Sequence, residues 1–450
     1  MATGKSSTTT TLAFAAVTTL FFAWGFITSL IDPLVGAVKG VFTLTDLQAQ
    51  LSAFAFFIAY GLISFPAAVL LSRLRSVPSI LVALVTMIAG CVVMLVAANL
   101  AIYTLVLLGL FILASGITVL QVAANPLAAA LGDPRYSHLR LTLSQTFNSL
   151  GTFLGPLIGA SLFLRGVEVK EGSVVTDAVR NQALAGIDTA YLWISGLIAA
   201  LAVFFFVSRR VVAEAAPEPS DEASRRGVGA MIRDALSSPW ARLGGLAIFL
   251  YVGAEVAIGT QMALFLNDDS VWGRSDALFS LPLVGLAVPQ DGVPGLSLEQ
   301  AGSAVALYWG GAMIGRAVGS ALLARVRAAR LLAVFTAIAA ALCLFVVLVG
   351  GVGAGFAALA IGLFNSIMFP VIFTLTLERS TATEEATSGF LCTAIVGGAF
   401  VPLVVGAVSG SAGYAVAMIV PALCYVALCV FAVSAGRADV RRDVSTESFH

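Results

Sequence analysis

Residues 20–38, LFFAWGFITSLIDPLVGAV, form an uninterrupted apolar stretch with one charged side chain, Asp32. An α-helix needs about 20 such residues to cross the hydrocarbon core of a bilayer. An ionised carboxylate is energetically costly at that depth, so an intramembrane acid is expected to face a cavity, a substrate or a coupling ion. Asp32 therefore marks a candidate transport path, and Glu255, inside another apolar stretch, marks a second candidate acid.

The whole chain shares this apolar character, because 59% of its 450 residues are hydrophobic and only 11% are charged. Such a composition predicts an all-α polytopic membrane protein and excludes most other classes. About twelve stretches are long enough to span a bilayer, near 11–38, 48–71, 79–98, 102–131, 139–164, 187–208, 239–266, 299–324, 330–350, 353–377, 387–408 and 412–435.

The basic residues predict the orientation of these spans. Most Lys and Arg residues fall on the side of the two termini, whereas the opposite loops hold only Lys39, Arg165, Lys170, Arg180 and Arg274. Loops rich in Lys and Arg stay in the cytoplasm. The sequence therefore predicts a multi-pass protein of a bacterial-type inner membrane with both termini cytoplasmic.

One long polar segment, residues 209–238, interrupts the chain at its middle. It predicts an N-terminal six-helix half (1–208), a cytoplasmic linker (209–238) and a C-terminal six-helix half (239–450). Short echoes between the halves support an internal repeat, since Gly151 and Pro156-Leu157 recur as Gly397 and Pro402-Leu403. Two repeated halves place a substrate between them near the bilayer midplane. This organisation resembles the major facilitator architecture.

Polar side chains inside the predicted spans are the candidate substrate ligands. Amides, hydroxyls and a few aromatic rings suit a polyhydroxylated ligand, because each hydroxyl needs a donor and an acceptor. The pattern favours a neutral sugar, although amides also join helices to one another and a tryptophan also occurs at the membrane interface. The candidates are Trp24, Thr28, Gln121, Asn125, Gln145, Asn148, Glu255, Gln261 and Asn365.

A G-R-x-x-G-x-x-L-x-x-R pattern runs from Gly315-Arg316 to Arg325, at the cytoplasmic end of the eighth predicted span. It resembles the inter-helix loop motif of the major facilitator superfamily. Arginines there can meet helix C-termini or acids, so Arg316 and Arg325 are candidates for a latch that stabilises one conformation. A plain anchor on the cytoplasmic side is the alternative for both residues.

Seven segments together resemble the fucose and glucose/galactose symporter family of the major facilitator superfamily, and the seventh span is similar to its glucose/galactose branch. By this resemblance Asp32 is the first-helix acid that couples transport to a cation. Gln121, Asn125, Gln145, Asn148, Glu255 and Asn365 then occupy polar positions of the central cavity. The segments are FFAWGFITSLIDPL (21–34), TDLQAQL (45–51), GITVLQVAANPLAAALG (116–132), LRLTLSQTFNSLGT (139–152), LYVGAEVAIG (250–259), FNSIMFP (364–370) and CTAIVGGAFVPL (392–403).

Two departures from the family pattern bear on coupling. Gln121 stands where fucose-type members have a glutamate, and an amide does not take up a proton. Proton coupling then rests on Asp32, with Glu255 as a second candidate, whereas Na⁺ at Asp32 and Gln121 is the alternative. Pro33 follows the acid, and because proline lacks a backbone N–H it is expected to bend the first helix at this point.

The predicted function is cation-coupled symport of a neutral hexose, such as glucose or galactose, by alternating access of the two halves. A proton-coupled exporter of drugs or metabolites is the first alternative, because Gly151, Gly155, Pro156 and Gly159 resemble a motif of antiporters. A membrane sugar sensor that does not transport is the second. The sequence indicates no enzyme, cofactor, tight metal site or nucleic-acid partner. Nothing in it requires more than one chain, so we expect a monomer.

Overall fold

The computed structural model describes residues 7–131, 137–164, 177–215, 228–273, 280–281, 285–286, 295–323 and 325–440. These residues form 17 α-helices, a π-helical turn at Asp269–Gly273, a 3-10 turn at Ala394–Val396 and a two-stranded antiparallel hairpin. The helices are α1 Ser7–Ser29, α2 Ile31–Val41, α3 Asp46–Leu74, α4 Ser76–Leu100, α5 Tyr103–Ala130, α6 Ser137–Phe163, α7 Asp177–Ala215, α8 Val228–Ser237, α9 Pro239–Asn267, α10 Leu298–Leu323, α11 Ala328–Val349, α12 Gly351–Asn365, α13 Met368–Arg379, α14 Glu384–Thr393, α15 Gly397–Ala412, α16 Tyr414–Ala417 and α17 Ile419–Arg437; the strands are β1 Ser280–Leu281 and β2 Gly285–Leu286.

Ten helical segments in the described part of the chain are long and apolar enough to cross a membrane. The predicted spans 139–164 and 299–324 lie outside these ten, yet they form α6 and α10, which have 27 and 26 residues. These two helices are more polar because they carry, among others, Gln145, Asn148 and Arg316. They also pack against each other, so their polar side chains meet between the two halves of the bundle.

Three of the membrane-length segments are interrupted next to a proline. The interruptions lie at Leu30, at Ser366–Ile367 and at Met418, three or four residues before Pro33, Pro370 and Pro421. Proline lacks an N–H and so leaves the carbonyl four residues earlier without its helical donor. The first helix is thus interrupted near Pro33, at Leu30, and the breaks lie beside Asp32 and Asn365.

The helices pack mainly within each half, and a smaller set of helix pairs joins the two halves. In the first half α4 packs on α5 and α7, and α1 packs on α6, while in the second half α11 packs on α12 and α17. Contacts between the halves are made by α6 with α10, α3 with α15, and α2 with α9. The interface between the halves is therefore formed by α2, α3 and α6 of the first half and α9, α10 and α15 of the second.

The glycines of the 151–159 motif have a packing role within the first half, between α6 and α1. A Cβ atom at Gly151 would collide with the backbone of Phe22, and one at Gly155 would collide with Ser29. Glycine at both positions therefore allows α6 to lie directly against α1. The motif is explained by close helix approach, which is the common use of small residues in membrane helices.

The predicted linker 209–238 contains helix at both ends, since α7 continues through Ala215 and α8 occupies Val228–Ser237. Asp234 of α8 accepts hydrogen bonds from the backbone N–H of Thr383, at 3.0 Å, and from its hydroxyl, at 2.8 Å. Ser238 Oγ is also a hydrogen-bond partner of Ser380 and of the Thr381 N–H. The end of this segment is thus attached to the second half, and the three-part division of the chain stays a prediction.

Three side chains join the halves at one end of the bundle. Lys39, near the end of α2, forms an ion pair with Asp46 at the start of α3 and donates to the hydroxyl of Tyr414. The Tyr414 hydroxyl in turn donates to Asp46 Oδ1 at 2.9 Å. Asp46 is held in place because Thr45 caps α3 through a reciprocal bond with Gln48. The end that carries Lys39, Asp46 and Tyr414, here called the distal end, is closed by this cluster.

Candidate transport site

Asp32 lies in the first turn of α2, directly after the helix break, and is only 2% exposed. Its Oδ2 accepts a hydrogen bond of 2.7 Å from the indole Nε1 of Trp309 in α10. The other carboxylate oxygen lies against Gly259 of α9, where a Cβ atom would lie 3.2 Å from it. The acid of the first half is therefore held between two helices of the second half.

Glu255 lies at the centre of a polar network within the second half. Its carboxylate accepts from the Tyr251 hydroxyl at 2.7 Å, and its backbone carbonyl lies 3.4 Å from the Tyr308 hydroxyl. Asn365 extends the network, because its Nδ2 donates to Tyr308 at 2.7 Å and its Oδ1 accepts from Tyr425 at 2.8 Å. One carboxylate and one amide thus organise three tyrosine hydroxyls.

Arg316 brings a positive charge into this network. Its Nε donates to the backbone carbonyl of Ser366 at 3.4 Å, and its Nη1 donates to Ser149 Oγ of α6 at 2.5 Å. Because Pro370 has no N–H, the Ser366 carbonyl lacks its usual helical donor. The guanidinium of Arg316 takes the place of that donor. The charge of Arg316 also acts on Glu255.

Arg316 lies within its helix, as the predicted span 299–324 implies. The helix α10 continues for two turns beyond it, to Leu323, because the residues that follow are apolar and small. Arg325, by contrast, lies in the exposed turn after α10. The latch role predicted for the two arginines stays a prediction.

The candidates of the first half differ in how fully their polar atoms are bonded. Gln121 Nε2 donates to the Tyr60 hydroxyl at 2.8 Å. Thr28 Oγ1 and Asn125 Oδ1 are buried and have no hydrogen-bond partner among the described residues. A buried polar atom without a partner is energetically unfavourable, so these two atoms are suited to a ligand.

Other predicted ligands use their polar groups within the protein. Asn148 Nδ2 donates to the backbone carbonyl of Phe21 at 3.0 Å, and Gln261 Nε2 donates to Ser409 Oγ at 3.0 Å. Trp24 is buried against Phe21, with ring centroids 4.1 Å apart. Gln145 is partly buried on α6. These contacts leave a ligand role for the four residues as a prediction.

The two acids lie on helices that pack against each other, Asp32 on α2 and Glu255 on α9. The structure does not join Asp32 to Gln121, because the described hydrogen bonds of the two side chains go to Trp309 and Tyr60 respectively. A shared Na⁺ site at those two residues stays a prediction. Within the described residues, no group of three or more His, Cys, Asp and Glu side chains is arranged to hold a metal ion.

Sequence reasoning missed four aromatic residues of the site: Tyr60, Tyr308, Trp309 and Tyr425. Each lies in an apolar span, where an aromatic ring is expected as packing or as an interfacial residue. The available signal was depth, since Tyr308 and Trp309 are adjacent at the middle of α10, far from either interface. A tyrosine hydroxyl or indole N–H at that depth needs a buried partner.

Comparison with known proteins agrees with this architecture. Residues 12–388 match the model of the Major Facilitator Superfamily, and the chain belongs to that family of membrane transporters. It is 40% identical over 415 residues to a glucose/galactose transporter of Brucella abortus, covering 92% of this chain and 91% of the relative. It is 32% identical to the L-fucose-proton symporter of Escherichia coli, covering 94% and 92% of the two chains.

Solved structures give the same result for the fold. A crystal structure of the E. coli fucose:proton symporter is 27% identical and has a TM-score of 0.67, covering 96% of this chain and all of that one. A bacterial homologue of the lysosomal transporter Spinster, 15% identical, has a TM-score of 0.69 and shares the fold. These comparisons confirm the predicted all-α major facilitator fold and the resemblance to fucose and glucose/galactose transporters. They also confirm the prediction that the protein is a transporter and not an enzyme.

Proposed function

We propose that this protein is a proton-coupled symporter of a neutral hexose, with glucose and galactose as the first candidates, and that it works by alternating access of its two halves. The proposal includes a bacterial inner membrane, cytoplasmic termini and a monomer as the working unit. The similarity to glucose/galactose transporters and to an L-fucose-proton symporter supports both the sugar class and the coupling ion. The excess of Lys and Arg on the side of the termini supports the orientation.

The observation that carries the proposal is the environment of Asp32. Its carboxylate is buried between the halves, and its described hydrogen bond comes from a neutral indole. The ion pairs of Lys39 with Asp46 and of Arg379 with Glu378 do not include Asp32. A buried carboxylate without a basic partner is stabilised when it binds a cation, which is the property that coupling requires.

Glu255 has a different environment and is assigned a different role. Arg316 acts on it with a positive charge, and Tyr251 donates to it. These two interactions favour the ionised carboxylate and offset part of the cost of its burial, so Glu255 gains less from binding a coupling ion than Asp32 does. Glu255 is therefore a ligand for sugar hydroxyls in this proposal, and Asp32 is the coupling acid.

In this proposal the sugar binds between the two halves, where polar side chains of both halves lie. Thr28 and Asn125 of the first half offer a hydroxyl and an amide oxygen that have no hydrogen-bond partner in the part of the chain that the structure describes. Asn365 and Glu255 of the second half lie within a tyrosine network. A hexose presents several hydroxyls, each a donor and an acceptor, and thus matches such a divided set of ligands.

Coupling to the membrane potential supplies enough free energy for accumulation. One elementary charge crossing 100 mV is worth about 2.3 kcal/mol. Because about 1.4 kcal/mol is a tenfold change in an equilibrium constant, this corresponds to a roughly forty-fold concentration ratio. The binding of a cation by Asp32 changes the relative free energies of the loaded and empty carrier, as a population shift requires.

The deciding experiment is uptake of radiolabelled glucose into proteoliposomes under an imposed proton gradient or Na⁺ gradient. Galactose, fucose, mannose and N-acetylglucosamine serve as competitors. We expect accumulation under the proton gradient and competition by galactose. Accumulation under the Na⁺ gradient alone would show that Na⁺, and not the proton, is the coupling ion. Absence of uptake and of competition under both gradients would reject hexose symport in favour of an exporter.

A further inference from the structure

Trp309 is the contact through which the second half reaches the coupling acid of the first. Its indole Nε1 donates to Asp32 Oδ2 at 2.7 Å. Its ring packs edge-on against Tyr308, with centroids 5.1 Å apart and an interplanar angle of 76°. Tyr308 in turn accepts the hydrogen bond from Asn365. The indole therefore lies between the acid and the polar network proposed for the sugar.

The two halves are closed at the distal end in the conformation that contains this bond. The cluster of Lys39, Asp46 and Tyr414 joins α2 and α3 to α16. A second contact between the halves, from Thr260 Oγ1 to Gln50 Oε1 at 3.0 Å, lies in the buried core. Because Asp32 and Trp309 belong to different halves, separation of the halves at the distal end increases the distance between carboxylate and indole.

A hydrogen bond to a carboxylate favours its cation-free state. The bond is charge-assisted, and it is roughly twice as strong as one to a neutral acceptor. A proton at Asp32 removes the charge that strengthens the bond, and Na⁺ competes for the same oxygen lone pairs. Either cation therefore binds less tightly while the indole donates.

The neighbouring charges do not replace the indole in this function. Glu255 of α9 is the charged side chain that acts on Asp32, and its own charge interacts with Arg316. Both belong to the second half, as Trp309 does, but neither forms one of the described hydrogen bonds to Asp32. The direct contact that breaks and forms with the movement of the halves is the one from Trp309.

We propose that Trp309 is a positioning residue that lowers the cation affinity of Asp32 while the distal end is closed, in opposition to the burial that raises this affinity, and that this lowering is lost when the distal end opens. The inference rests on the proposed symport. A carrier with this property takes up its cation from the side at which the distal end opens and releases it to the opposite side. That asymmetry favours net transport over the holding of a tightly bound ion.

The test is Trp309→Phe, which keeps an aromatic ring against Tyr308 and removes the N–H. The matched control is Trp272→Phe, which removes an indole bond of 3.1 Å to the Val352 carbonyl, distant in sequence from the acid. Glucose uptake into oriented proteoliposomes is measured while the cation that drives uptake is varied separately on each side. The readouts are the external concentration for half-maximal uptake and the internal concentration for half-maximal inhibition.

For Trp309→Phe we expect the internal inhibitory concentration to fall about tenfold, with the external half-maximal concentration unchanged, as one lost charge-assisted bond implies. Trp272→Phe is expected to change neither value. Equal shifts on both sides, or no shift, in a variant that still shows cation-driven uptake would overturn the role of Trp309 alone. Absence of cation-driven uptake by the unchanged protein would overturn the symport and this inference together.

A second variant covers the case in which Trp309→Phe does not fold. Incorporation at position 309 of the benzothiophene analogue of tryptophan keeps the size and shape of the ring and removes only the N–H. The same internal shift is expected. An unchanged internal concentration in this isosteric variant would overturn the proposal, because no difference in packing could compensate for the missing donor.

Discussion

Arg316 donates a hydrogen bond to the backbone carbonyl of Ser366, the acceptor that Pro370 leaves without a helical donor. The guanidinium is thereby fixed at a helix break inside the bundle, where it also contacts Ser149 of the other half. A basic residue at this depth is stabilised when it has backbone carbonyls and an acid as partners. Here the acid is Glu255, on which its charge acts.

The first prediction concerns this charge. Arg316→Gln is expected to lower glucose uptake by at least tenfold, because Glu255 would remain in the site without its compensating cation. Arg316→Lys is expected to retain part of the activity, since it keeps the charge but not the planar donor geometry. Initial uptake rates at equal amounts of reconstituted protein measure both effects. Similar activity of the Gln and Lys variants would contradict a role for the charge.

Asp32 gives the second prediction. Asp32→Asn is expected to abolish accumulation of sugar against its gradient while sugar exchange between the two sides continues, because an amide binds no coupling cation. Counterflow of labelled glucose measures exchange, and uptake under an imposed gradient measures accumulation. Loss of counterflow together with accumulation would indicate a direct sugar contact of Asp32.

The third prediction tests the closure of the distal end. Tyr414→Phe removes the hydroxyl that links Lys39 to Asp46 across the halves, so the distal end is expected to open more often. The control is Tyr103→Phe, which removes a hydroxyl bonded to the Gln48 carbonyl within the first half. Labelling of an introduced Ala53→Cys, at a buried position of α3, by a membrane-impermeant thiol reagent measures the opening. Faster labelling with Tyr414→Phe but not with Tyr103→Phe is expected, and equal labelling would contradict the assignment.

Much of this fold could be predicted from the sequence because lipid imposes length and hydropathy on every span. The acids at Asp32 and Glu255 were found for the same reason, since a charge stands out in an apolar helix. The helix interruption near Pro33 could be predicted from the sequence, because the missing N–H affects only the carbonyl four residues earlier in the same helix. Each of these features depends only on residues within one helix, so the sequence alone is enough to predict it.

The partners of those acids could not be predicted. The Trp309–Asp32 bond joins residues 277 positions apart, and it depends on the rotation of α10 relative to α2. The partners of Arg316 could not be predicted either, because its motif indicates the end of a helix but not which carbonyl or hydroxyl the guanidinium meets. Side chains whose polar tips meet only after helices pack, such as Tyr308 and Tyr425, leave no periodic signal.

The last prediction separates stability from function at Thr28. Its buried hydroxyl lies near that of Tyr60 but makes no hydrogen bond of normal geometry among the described residues. An unsatisfied buried polar group costs about 1–3 kcal/mol, and replacing it by an apolar group of the same shape removes that cost. Thr28→Val is therefore expected to raise the melting temperature of the purified, sugar-free protein by a few degrees while raising the KM for sugar several-fold.

The matched control for Thr28→Val is Thr118→Val, because the Thr118 hydroxyl is buried too but already donates to the Ala114 carbonyl at 2.8 Å. Thr118→Val is expected to leave both the KM and the melting temperature close to those of the unchanged protein. Thermal unfolding with and without glucose measures the stability and its increase by ligand, and uptake kinetics give the KM. Opposite signs of the stability and affinity effects at Thr28 alone would identify a hydroxyl kept for its ligand, since packing by itself favours valine there. A destabilised Thr28→Val variant with unchanged KM would show instead that this hydroxyl serves the fold.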